Sequence, residues 1–230
     1  MHTGNSNGYQ LAGKRVVITN ACGFMGPHLV DAFDREGAIV IADCRDLTHD
    51  KAADNLVREV EEFDVLIVNL ASERPNVAAT DVTDSQITTL FDEIVYPLFR
   101  IGRAVLPQMI ARRSGKIIVV GSASALRGFA NSSIYAAARG AQLAWVKATG
   151  VEVAPYNVQV NAIAQIFVEN KEYFSDEYQQ TAEFQRRISE VPVGRLGSGE
   201  ESATLALFLA SDKCNFLVGQ AIPFAGGWVT

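Results

Sequence analysis

Three side chains in the second half of the chain have the types and spacing to move a proton. They follow the pattern Ser122-x12-Tyr135-x3-Arg139. If Tyr135 and Arg139 lie on a helix, they share a face one turn apart. A guanidinium in that place favours the phenolate and makes it a usable base near neutral pH, while Ser122 can hold a substrate oxygen by a hydrogen bond. Taken alone, a Tyr-x-x-x-Arg pair is usually surface decoration and the serine a turn residue, so the reading depends on where the elements put them. The three histidines, His2, His28 and His49, are scattered and read as surface or packing residues. Cys22, Cys44 and Cys214 are an odd number at wide spacings with no C-x-x-C pair. Neither a disulfide framework nor a metal site is indicated, and a reducing compartment is expected.

The elements that would position these residues are legible as apolar runs. Strands are expected at Arg15–Asn20, Ala38–Ala42, Asp64–Asn69, Lys116–Gly121, Val158–Ile163 and Gln220–Phe224. Helices are expected at about Pro27–Glu36, Ala52–Glu61, Asp84–Arg113, Ser133–Ala154 and Glu200–Ala210. Near-continuous apolar strands alternating with helices imply a parallel sheet covered on both faces, with right-handed crossovers. The fold class is α/β: one doubly wound Rossmann-type domain of about six to seven strands. Ser122 then follows a strand directly, at the carboxyl edge where such sheets bind ligands. The long segment Ala164–Glu190 leaves the same edge and reads as a lid or pocket wall; an ordinary surface excursion fits its length equally well.

The 230 residues, 48% hydrophobic and 20% charged, allow one sizeable core and set disordered chains aside. No linker or repeat divides them: residues 1–10 read as a flexible polar tail and residues 11–230 as a single domain. The 26 acidic against 20 basic residues would repel a phosphate backbone, so nucleic acid is not an expected partner. There is no signal pattern and no membrane-length apolar run, and the chain is expected to be soluble and cytoplasmic.

A dinucleotide site needs glycines in the first strand-to-helix turn, so that backbone can approach the pyrophosphate. The turn here is Thr19-Asn20-Ala21-Cys22-Gly23-Phe24-Met25-Gly26. Gly23 and Gly26 serve tight turning and helix packing, but Phe24 puts a ring where the phosphate would approach. The alternative is that Phe24 points into the core and the loop still binds NAD. Asp43 ends the second strand, where a ribose-binding carboxylate would stand. The stretch from Cys44 to Asp64 has room for one helix but scarcely for a further strand. An edge strand is therefore expected to be short or missing, and Asp43 to be a solvated strand-end carboxylate.

With Ser122, Tyr135, Arg139 and the terminal Gly226–Gly227 pair, the chain resembles the short-chain dehydrogenase/reductase superfamily across Leu11–Thr230. Its departures resemble one branch, the halohydrin dehalogenases. That branch carries Arg in place of the redox lysine and a first loop of the form T-x4-F/Y-x-G, which Thr19, Phe24 and Gly26 match in register. The usual catalytic asparagine position holds Ile94, and Leu70-Ala71-Ser72 replaces the usual Asn-Ala-Gly. Some dehalogenases place a carboxylate after this strand to orient the arginine; Leu70 stands there instead, so what positions Arg139 stays open.

The resemblance implies a cofactor-independent lyase. Tyr135, supported by Arg139, would take the hydroxyl proton of a vicinal halohydrin held by Ser122; the alkoxide would displace the halide and close an epoxide. The reverse reaction would open epoxides with halide, azide, cyanide or nitrite. Phe24 would form one wall of the halide pocket, and Gln165-Ile166-Phe167-Val168 the other. Thr19, Tyr173 and Phe174 would belong to the substrate pocket, although the last two suit lid packing equally. A homotetramer built through the two long helices is expected by the same resemblance. Two other readings stay open at this point: an NAD(P)-dependent oxidoreductase in which Arg139 replaces the lysine and Asp43 binds ribose, and a non-catalytic regulatory relative.

Overall fold

A computed structural model of the chain describes residues 8–9, 11–171 and 173–230. Most of the polar tail expected at the N-terminus lies outside the described residues, as does His2. Six strands form one parallel sheet: β1 (Arg15–Ile18), β2 (Ile39–Ala42), β3 (Val65–Val68), β4 (Gly115–Ser122), β5 (Val158–Gln165) and β6 (Ala221–Phe224). Their spatial order is β2-β1-β3-β4-β5-β6, so among the described residues β2 is an edge strand with no further strand outside it. The passage after Asp43 holds one helix, α2 (Ala52–Val60), and the chain then enters the sheet interior as β3. The shortened edge read from the sequence has this cause.

Strand residues alternate between two cores. Val17, Leu66, Val68, Ile117, Val119 and Val160 face one layer, with α2, α4 (Tyr96–Arg112) and α5 (Ser133–Val153); Val16, Ile18, Val65, Ile67, Ile118 and Val120 face the other, with α1 (Gly26–Arg35) and α8 (Gly199–Ala210). A third, smaller cluster of Phe184, Ile188, Val191, Leu196 and Trp228 lies beneath the segment after β5. That segment is not wholly irregular: it carries the short helices α6 (Asp176–Gln179) and α7 (Ala182–Ile188).

The helix expected over Asp84–Arg113 is broken. It begins as α3 (Asp84–Leu90), passes through a π-helical turn at Phe91–Val95 and resumes as α4. The Tyr96 N–H reaches back to the Phe91 carbonyl, and Pro97 next to it has no N–H to give, so the wider turn keeps the chain going where an α-turn lacks a donor. The consequence for the site is that the Ile94 carbonyl is turned toward α5.

The sequence reading of the cysteines needs correcting. Cys22 and Cys44 form a disulfide with their Cα atoms 5.6 Å apart. β1 and β2 are parallel neighbours in register up to Ile18 and Ala42, and the Ala21 N–H donates to the Asp43 carbonyl at 2.9 Å, so the chain just beyond both strands runs side by side. Only Cys214 is free, and it is buried. Among the described residues no helix is long and apolar enough to cross a membrane, and no cluster of three or more His, Cys, Asp or Glu could hold a metal ion.

Two substitutions probe this scaffold. A methyl group on Gly26 would collide with the Asn20 and Ala21 carbonyls. Gly26→Ala is expected to lower the unfolding free energy in urea by about 1–3 kcal/mol. At the start of α8, Arg195 binds Glu201 through two contacts of 2.8 Å, and the Ser198 N–H adds a third. Together they push the Glu201 carboxyl down to about 2. A depressed native value stabilises the fold above the unfolded carboxyl's range, and the gain is lost as pH falls toward the native value. The melting-temperature gap between wild type and Glu201→Gln is therefore expected to be small but present at neutral pH, this pair being exposed, and to close on acidification.

Candidate active site

The carboxyl ends of β1, β3, β4 and β5 open into one cavity of about 1210 Å³. Ser122 stands at the end of β4, opposite Gln165 in the strand register. Its Oγ accepts the Ser124 N–H at 3.2 Å and shares a hydrogen bond with Ser124 Oγ at 2.9 Å. Two donors can thus serve the Ser122 oxygen, which leaves its own proton for a substrate oxygen.

Tyr135 and Arg139 meet on α5 as their spacing predicts. Arg139 Nε donates to the Tyr135 hydroxyl oxygen at 3.1 Å. Because a guanidinium only donates, the phenol oxygen must accept from it, which supports negative charge on that oxygen and leaves the phenol's own proton to point elsewhere. Arg139 is fully buried, yet among the described residues it forms no ion pair with a carboxylate. Nη1 donates to the Gln142 side-chain oxygen at 2.9 Å and the Val120 carbonyl at 3.3 Å, and Nη2 has no hydrogen-bond partner among the described residues.

What holds Arg139 is therefore Gln142, with the Val120 carbonyl in support. Gln142 in turn donates to the Ile94 carbonyl at 2.7 Å. The π-turn thus serves through its backbone, at the position where the sequence shows an unsuited side chain. Leu70 takes no part and is buried in the core. Gln142 escaped the sequence reading although it lies on the same helical face, three residues beyond Arg139; the signal was the extended pattern Tyr-x3-Arg-x2-Gln.

Phe24 lines the cavity with a left-handed φ of 51°. Its ring stands edge to face with Tyr173 at 5.6 Å between centroids, and the Arg139 guanidinium carbon is 6.0 Å from its centre. Phe167 also lines the cavity at a φ of 53° and packs on Phe174 and Trp228. Two bulky residues held in a conformation that normally favours glycine, on opposite walls of one cavity, mark backbone that the surrounding packing overrides.

Gln165, Ile166 and Val168 line the same wall; Gln165 is fixed by the Ser202 hydroxyl at 2.8 Å, and Val168 pairs with Gly197. Tyr173 and Phe174 also line the cavity, and the Tyr173 hydroxyl donates across the opening to the Ser72 carbonyl at 2.6 Å. Thr19 is not part of the wall. It is completely buried, and its Oγ1 accepts the Asn69 N–H at 2.9 Å. Asn69, also missed in the sequence, donates its side-chain amide to the carbonyls of Asn20 and Gly23 and so pins the first loop.

These features define a class: a doubly wound sheet with a serine at a strand end and a tyrosine one helical turn ahead of a cation. The chain belongs to the short-chain dehydrogenase/reductase superfamily of enzymes, since the family model described as Enoyl-(Acyl carrier protein) reductase matches residues 8–229. It is similar to the 3-oxoacyl-(acyl-carrier-protein) reductase FabG of Salmonella typhimurium, 31% identical over 176 residues that cover 76% of this chain and 70% of that one. The enzyme of the same name from Thermotoga maritima is 28% identical over 253 residues, 96% and 99% of the two chains. Among solved structures, one titled "Dehalogenation enzyme" is 26% identical with a TM-score of 0.85, covering 95% of this chain and 99% of that chain.

The nicotinamide dinucleotide that this superfamily implies does not fit the residues present. From the first loop only Asn20, Gly23 and Phe24 line the cavity, which does not reach the end of β2. Asp43, expected from the sequence to be solvated, is buried and gives Oδ1 to Arg45 Nε at 2.6 Å. Its Oδ2 is buried without a partner. The Cys22–Cys44 bridge ties the first loop to the residue after Asp43.

The role of Gln142 can be measured. Gln142→Leu is expected to cost about 1–3 kcal/mol in unfolding free energy, because Arg139 Nη1 and the Ile94 carbonyl both lose a buried partner. Gln142→Glu keeps the acceptor toward Arg139 and is expected to retain more of the unfolding free energy than the leucine variant in the same denaturation.

Proposed function

We propose that this chain is a halohydrin dehalogenase, a cofactor-independent lyase that converts vicinal halohydrins to epoxides and, in reverse, opens epoxides with small anions. The observation that carries the reading is the Arg139 guanidinium: sealed from water, unpaired with any carboxylate among the described residues, and donating to the Tyr135 oxygen. A buried cation needs a negative partner, and the phenolate needed for catalysis provides one.

In the forward reaction Ser122 holds the substrate hydroxyl and Tyr135 takes its proton. The oxygen's electron pair then attacks the adjacent carbon from behind, and the carbon–halogen bond breaks with its pair leaving on the halide. One C–O bond forms, one carbon–halogen bond is lost, and nothing is oxidised or reduced. The halide leaves toward the space between Phe24 on one wall and Phe167 on the other, aromatic rims being electropositive. The 26% likeness to the structure titled "Dehalogenation enzyme" supports this reading over its almost full length. The reductase names of the curated relatives favour NAD(P)-dependent reduction instead, and the residues that would hold the dinucleotide argue against it.

With 1,3-dichloro-2-propanol the purified protein is expected to release chloride and protons together, and Tyr135→Phe to lower that rate about 100-fold or more. Undiminished chloride release by the phenylalanine variant, or saturable NADPH binding and oxidation by the wild type, would overturn the proposal.

A further inference from the structure

One guanidinium at the cavity has no assigned work. Arg74, on the loop after β3, lines the cavity and is half-buried. Its guanidinium carbon lies 5.4 Å from the centre of the Phe129 ring, which fixes its place on the wall. Among the described residues its Nη1 is buried with no hydrogen-bond partner, and no carboxylate forms an ion pair with it. None of the acidic lining side chains among the described residues forms an ion pair with it: Glu183 is paired with Arg187 at 2.7 Å and reaches Arg74 only through space, Glu93 is partly buried elsewhere on the wall, and Glu73 and Glu190 are exposed. Burial, and then the neighbouring Arg187, hold the Arg74 guanidinium below its ordinary value, while Tyr135, Tyr178 and Glu183 act in the opposite sense. Arg74 thus lies within electrostatic reach of the catalytic phenol. The cavity is also roomier than the roughly 300–1,000 Å³ usual for small-molecule sites, and far larger than a three-carbon halohydrin fills.

We propose that Arg74 binds a carboxylate on the substrate, so that the preferred halohydrin is an acid whose charged end lies against Phe129 while its hydroxyl meets Ser122 and Tyr135. The inference rests on the dehalogenase reading for the reacting end and on the Arg74 geometry for the charged end. A planar guanidinium presents a fork of donors that matches a carboxylate, and the bound anion would replace the water that Arg74 loses on burial.

The test compares 4-chloro-3-hydroxybutanoate with its uncharged methyl ester by halide release, in wild type, Arg74→Gln and Arg74→Lys. Binding of the halogen-free 3-hydroxybutanoate is followed by calorimetry. The wild type is expected to favour the acid over the ester by about ten-fold or more in kcat/KM, the glutamine variant to lose that ratio and the lysine variant to keep part of it. Calorimetric affinity for 3-hydroxybutanoate should fall in the glutamine variant by a similar factor. Equal use of acid and ester by the wild type, or preference for the ester, overturns the role of Arg74 and leaves dehalogenation standing. Binding of 3-hydroxybutanoate that depends on Arg74, without halide release from either compound, overturns the dehalogenase reading and leaves the carboxylate site. Neither binding nor turnover overturns both.

Discussion

A guanidinium withdrawn from water costs several kcal/mol unless oxygens surround it, and Arg139 meets that demand in part, with a phenol, a side-chain amide and a main-chain carbonyl around Nε and Nη1. The partners come from three parts of the chain: Tyr135 and Gln142 from α5, Val120 from the sheet, and Ile94 behind Gln142 from the interrupted helix. The break in that helix is therefore more than an accommodation of Pro97. It supplies an acceptor to the amide that steadies the cation, and so links the outer helical layer to the Tyr135 hydroxyl. A lysine in place of Arg139 would have one terminal nitrogen with which to satisfy the same set of directions.

The first loop makes the complementary point. Phe24 can hold its left-handed backbone because Asn69 fastens the carbonyls on either side of the turn and the disulfide anchors its outer edge. The same fastening keeps the ring beside Arg139, on the wall of the cavity. One set of contacts thus accounts for both the turn's shape and the place of the aromatic ring near the phenol.

Much of this architecture was readable in advance because β-branched runs such as Val16–Ile18 and Val65–Val68 carry their burial in their composition, and because a four-residue interval on a helix has one geometrical meaning. The Tyr135–Arg139 contact belongs to that second kind. Partners chosen by tertiary proximity were not readable. Cys22 and Cys44 lie far apart in sequence, and only the parallel pairing of β1 with β2 brings them together. Thr19 looked like a pocket residue from its place in a loop pattern, whereas its hydroxyl is spent between two strands. Asp43 was read as solvated because Arg45, which covers it, has no periodic relation to it. Arg74 carried no signal, since an arginine in a loop is ordinarily solvated and only the enclosing wall makes it otherwise.

The aromatic group formed by Phe174, Tyr178, Phe184 and Trp228 has its own small core, separate from the two layers that stabilise the sheet. Phe184 and Trp228 are buried within it, so the wall they form is held by its own packing and not by the sheet. A change of ring size there would reshape the chamber above Ser122 and Tyr135 while leaving the strand ends that carry those two residues in place.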